Sequence, residues 1–156
     1  MKRFSDYSNI IGIDPDLHKS GVAIYEPKGK KLTECTSMYI WDLFNTILVQ
    51  KQFKTLFRLE FPNNTNTWHK GGRGASLNVG KNQAVAIIIK EFLDAHGCDY
   101  ELLKPLGYSI IFNDENVFKN TTGFKNKTNK DARAAAAMIW DFNEWGYMQC
   151  EITYEK

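Results

Sequence analysis

The chain has 156 residues, 43% of them hydrophobic and 24% charged, with a formal net charge of +2. That size and apolar fraction suit one compact domain over residues 1–156, with a core that needs no covalent staples. No apolar run approaches the roughly 18 residues needed to cross a bilayer, and the N-terminus has none of the parts of a signal peptide, so a soluble cytoplasmic protein with no membrane partner is expected.

Asn9 to Asp14 is apolar and β-branched and ends in Asp14-Pro15-Asp16. With Gly21 to Tyr25 and the turn at Pro27 to Lys30, it predicts two strands of a hairpin-like meander. A third strand is predicted from about Leu32 to Tyr39. Trp41, Leu43, Phe44, Ile47 and Leu48 then recur at helical spacing. Lys54 to Glu60 reads as a short apolar strand, and Phe61 to Gly80 as a long Gly/Asn/Thr-rich loop of the kind that is usually functional in a compact domain. Asn82 to His96 predicts a helix closed by Gly97, with Ala84 to Ile89 apolar nearly all round, as in a helix buried on more than one side. Tyr100 to Leu103 reads as a strand, Asn113 to Thr122 as a short helix closed by Gly123, and Asp131 to Trp145 as a long alanine-rich helix. The order predicts an α/β layered domain with a mixed central sheet flanked by helices.

Cys35, Cys98 and Cys150 are odd in number and widely spaced, without a CxxC or a nearby histidine pair. They read as reduced thiols rather than a disulfide framework or a zinc site. Net charge alone argues weakly for nucleic acid, but its distribution argues more strongly. Residues 62–81 contain no acid and carry Trp68, His69, Lys70, Arg73 and Lys81 among four glycines. Residues 118–130 carry Lys119, Lys125, Lys127 and Lys130, again without an acid. Beside candidate catalytic carboxylates, two such segments suit a phosphate-binding rim; two solvated lysine-rich loops are the plainer alternative.

The candidate carboxylates are Asp14, Glu60 and Asp131. Asp14 ends a buried strand before a proline, and Glu60 ends another before Phe61-Pro62, so both project into the crevice at a sheet end where ligands bind in α/β folds. Asp131 lies in the first turn of a helix. If the first and fourth strands are neighbours and that helix crosses them, three carboxylates converge as oxygen ligands for Mg²⁺ or Mn²⁺. Such a site suits two-metal phosphodiester hydrolysis, with the ions roughly 4 Å apart. Taken singly, Asp14 equally fits an Asp-Pro turn, Glu60 an exposed strand-end acid, and Asp131 a helix start capped by Thr128.

Together the motifs resemble a known family. Gly12-Ile13-Asp14-Pro15, followed after four residues by Ser20-Gly21-Val22-Ala23, resembles the opening of RuvC-type Holliday junction resolvases. Leu59-Glu60 resembles that family's strand-end glutamate. Leu77 to Ala84 is similar to its L-x-x-G-x-x-x-[GA] helix entry, and Asp131 to Ala136 to its D-A-x-A-x-A helix. The resemblance implies an RNase H-like fold, a homodimer, Mg²⁺ dependence with two ions per site, and paired nicking of four-way DNA junctions. A two-fold dimer would supply two sites at fixed spacing, with the helix around Ile88 as its surface. Phe61 and Trp68 are candidates to stack on unpaired bases, although Phe61 equally suits the core.

The sequence departs from the family pattern three residues before Asp131, where Thr128 replaces an acid or histidine. Asp16 is the candidate substitute ligand. Lys119 nevertheless resembles the family's lysine before the small-residue turn. Three alternatives remain: an RNase H-fold nuclease acting on RNA or other branched DNA, a non-catalytic DNA-binding module, and the first phosphate loop of an actin-like ATPase. The chain is too short for the two domains the last would need.

Overall fold

The computed structural model describes residues 2–62, 72–105 and 107–140. A 3₁₀ turn at Phe4–Asp6 precedes strands β1 (Asn9–Asp14), β2 (Ser20–Glu26) and β3 (Lys31–Met38), helix α1 (Ile40–Gln50) and strand β4 (Thr55–Glu60). Helix α2 (Gly72–Ala95), strand β5 (Asp99–Leu103) and helices α3 (Tyr108–Ile111), α4 (Glu115–Thr122) and α5 (Lys130–Ala137) follow. The sheet order is β3-β2-β1-β4-β5. Short turns join the first three strands, which therefore pair antiparallel, whereas α1 and α2 are crossovers that return the chain parallel into β4 and β5.

Strand alternation sends the two sets of side chains into separate layers. Ile11, Ile13, Phe57 and Leu59 pack with Leu43 and Ile47 of α1 and Val85, Ala86, Ile89 and Leu93 of α2. Ile10, Ala23, Tyr25 and Leu56 pack on the opposite face with Phe112, Phe118 and the alanines of α5. Phe61 belongs to the first of these layers and is 8% exposed, so it is a core residue rather than a base-stacking one. Among the described residues no helix is long and apolar enough to cross a membrane.

Helix α5 lies unusually close to the sheet. A Cβ on Gly12 would stand 2.2 Å from the Ala135 carbonyl oxygen, and one on Gly21 would stand 2.1 Å from that of Asp131. Glycine on the strands and alanine on the helix are therefore one device, since any bulk at either surface would lift the helix. Two buried arginines fix the ends of this layer. Arg133 donates to the carbonyl oxygens of Phe112 (2.8 Å) and Asn113 (3.1 Å). Arg58 pairs with Glu101 on the neighbouring strand at 3.2 Å and donates to the Met138 carbonyl just past α5. Beneath the helix, the Cys35 thiol donates to the Ala132 carbonyl at 3.3 Å, and burial pushes its pKa up to about 12.

One expected boundary is corrected. The predicted loop from Phe61 to Gly80 gives way to helix at Gly72, about ten residues before the predicted start. Gly72, Gly74 and Gly80 are poor helix formers and read as loop residues, but propensity is a weak prior inside a long helix whose later turns are anchored in the core. The predicted last helix is described only to Ala137, followed by a turn to Trp140; the rest of the Asp131–Trp145 span lies outside the described residues.

Candidate active site

Register and alternation bring two of the three carboxylates together. Ile13 pairs with Leu59 in the parallel β1–β4 ladder, so Asp14 and Glu60 end adjacent strands side by side. Ile10 and Leu56 face α5, and Asp14 and Glu60 continue that even-numbered series, so both acids face α5. Asp14 also pairs with Gly21 across the β1–β2 ladder, and Gly21 is where the Asp131 backbone rests on the sheet. The first turn of α5 is thus placed one strand from Asp14.

The electrostatics record the same convergence. Burial pushes the Asp14 pKa up to about 8, with Glu60, Asp131 and Asp16 adding to the rise through their charges. Burial raises Glu60 to about 7. Asp131 is raised by burial and by Asp16, against an opposing pull from Lys130. Acids that disfavour one another's ionisation, as Glu60, Asp131 and Asp16 do that of Asp14, have the donor chemistry suited to a hard divalent cation. Among the described residues, no three acid, imidazole or thiol groups are gathered closely enough to hold one ion as they stand. The fit therefore rests on donor type and shared placement. Asp16 keeps its turn role: one carboxylate oxygen accepts from the His18 amide at 2.9 Å, and its own amide donates to Ser20 Oγ at 3.2 Å.

Thr128 is not the cap of α5. That role belongs to Asn129, whose Oδ1 accepts from the Ala132 amide at 2.9 Å while its Nδ2 donates to Ser37 Oγ at 2.6 Å. Thr128 instead donates its amide and hydroxyl to Glu115 Oε1 at 2.9 and 3.2 Å, and its hydroxyl accepts from Arg133 at 3.0 Å. One residue of frame separates the expected capping box from the observed cap. We predict that Asn129→Ala costs on the order of 1 kcal/mol in chemical denaturation, whereas Thr128→Ala leaves the helix start capped. A negligible loss from Asn129→Ala would contradict this assignment.

The basic residues divide. Lys81 on α2, Lys127 in the connection to α5, and Lys130 at the first position of α5 are exposed. Lys119 on α4 pairs with Glu115 at 3.4 Å. Trp68 and Lys70 lie outside the described residues, and Arg73 is described only as helical backbone. The sequence reading missed Lys19 and Tyr39, which meet beside the acids. No periodicity or motif marks them.

No protein-family model and no curated protein matches the sequence. Solved structures do match. The chain is similar to Thermus thermophilus RuvC in complex with a Holliday junction substrate, with a TM-score of 0.54, 13% identity, and coverage of 88% of this chain and 96% of that one. It is also similar to a second Thermus thermophilus RuvC structure, with a TM-score of 0.51, 15% identity and the same coverage. The fold is that of RuvC. A RuvC fold is RNase H-like, and the expected layered arrangement with a mixed central sheet stands. At 13–15% identity, likeness to RuvC establishes the architecture alone.

Proposed function

We propose that the chain is a divalent-metal-dependent endonuclease that resolves four-way DNA junctions by paired nicking. The observation that supports this reading best is the pair Asp14 and Glu60 on adjacent strand ends, with the first turn of α5, which carries Asp131, seated on Gly21 of β2 one strand from Asp14. These three residues would hold Mg²⁺ or Mn²⁺, with the free oxygen of Asp16 as a further candidate ligand. Two such ions, when bound, supply an activated water and stabilise a leaving oxygen. The exposed Lys81, Lys127 and Lys130, with Trp68, Lys70, Arg73 and Lys119, are proposed to hold the DNA.

Paired nicking calls for two sites, and we assign the dimer surface to α1 and α2. Trp41 packs edge-on to Phe44, which stacks on Phe92 at 4.0 Å. Ile88 lies one turn before Phe92 and is 50% exposed, and the adjacent Ile87 is 41% exposed. These residues form an apolar stripe of the kind that a second subunit covers.

Purified protein should cut a synthetic four-way junction on two opposed strands only when Mg²⁺ or Mn²⁺ is added, leaving linear duplex and RNA–DNA hybrid intact. Ile88→Glu should sediment as a monomer and lose the pairing of cuts. Cleavage confined to the hybrid would replace this reading with an RNA-directed one. Junction binding without cleavage would make the chain a binding module.

A further inference from the structure

An open cleft of about 500 Å³ adjoins the acid cluster on the β3 side. Asp16 and Asp131 line it, and so do Lys19 and Tyr39. Ser37 and Asn129, hydrogen-bonded to each other, connect the two groups. Its volume falls within the roughly 300–1,000 Å³ usual for ligand sites. We propose that this cleft is a nucleotide subsite in which Lys19 takes a backbone phosphate and Tyr39 stacks with a base of the strand that leads to the acids.

Four observations favour that occupant. Lys19 Nζ stands 4.5 Å from the Tyr39 ring centroid, so a cation and an aromatic surface are held together rather than scattered. Tyr39 is 55% exposed, too much for a core role. It immediately precedes α1 yet makes no side-chain capping bond, so capping does not account for the ring either. The cleft is continuous with the site through Asp131, which places its occupant next to a phosphate held at the acids. A positive group beside an aromatic platform is the usual means of holding a single strand without reading its sequence.

The subsite rests on the nuclease reading for its position, but binding measurements test it separately. In a Glu60→Gln background, a labelled four-way junction and a single-stranded oligonucleotide are titrated at several salt concentrations. Lys19→Ala should weaken binding about tenfold and reduce the slope of log affinity against log salt by about one, as expected for one lost phosphate contact. Tyr39→Ala should weaken binding about tenfold with an unchanged slope, and Tyr39→Phe should match the parent. If Tyr39→Ala fails to fold, Tyr39→Leu keeps apolar bulk without the aromatic face and should show the same loss. An unchanged slope for Lys19→Ala, or affinity within twofold for the tyrosine variants lacking an aromatic ring, would overturn the subsite. If the wild type binds the junction but cuts nothing with Mg²⁺, the nuclease reading falls while these comparisons still decide the subsite. Wild-type protein that binds neither nucleic acid would overturn both.

Discussion

Asp14→Asn should abolish metal-dependent cleavage and at the same time make the metal-free protein more stable at alkaline pH. Asp14 titrates near 3.8 when unperturbed and at about 8 in the folded protein. Between those values the folded chain holds a proton that the unfolded chain has released, so stability falls as pH rises from about 4 to about 8. Asparagine has no charge to bury and removes that fall. The gain should be absent below pH 4 and reach on the order of 2 kcal/mol above pH 8, allowing for the incomplete burial of the group. Glu60→Gln should behave likewise over the narrower window from about 4.5 to about 7. Denaturation with a chelator present, at pH 4 and pH 9, measures both. Added Mg²⁺ should stabilise the wild type and not Asp14→Asn, because the ion binds the folded carboxylates. Equal midpoints for wild type and Asp14→Asn at pH 9 would show that the acid is not held in an unfavourable site.

The second large effect is expected from one methyl group. In Gly21→Ala the added carbon meets the Asp131 backbone at 2.1 Å, which no rotamer change can relieve, so α5 must shift. Overpacking of this kind costs roughly 1–3 kcal/mol. Because the atom displaced belongs to a proposed metal-holding residue, cleavage should fall about a hundredfold, the order expected for a misplacement near 1 Å. Gly12→Ala meets Ala135 one turn further along and should cost similar stability with a smaller loss of cleavage. Wild-type cleavage by a stable Gly21→Ala protein would detach Asp131 from the reaction.

Much of the site was legible because strands advertise themselves by composition and end at prolines. Pro15 and Pro62 marked where β1 and β4 stop, and the acids before them followed. The convergence of Asp131 was stated on a condition, that β1 and β4 be neighbours crossed by the last helix; the parallel ladder makes the two strands neighbours, and the Gly21 contact seats the start of α5 on β2, one strand from Asp14. Thr128 was misread because Thr and Asn are comparable caps and only the backbone decides which of two adjacent residues stands outside the helix. The role of Arg133 was not legible, since nothing in sequence shows that its partners are carbonyls of the two residues that follow α3. Lys19 and Tyr39 are twenty residues apart and meet only because the β1–β2 turn and the end of β3 lie at the same edge.

The thiol of Cys35 gives the docking of α5 a chemical readout. It sits beneath the helix, hydrogen-bonded to Ala132 and far from its thiolate form at neutral pH. An alkylating reagent can reach it only in the moments when α5 leaves the sheet. In a protein whose other two cysteines are replaced by serine, the rate of modification at Cys35 therefore measures how often the helix opens. Those openings are the moments when the Asp131 backbone leaves its seat on Gly21.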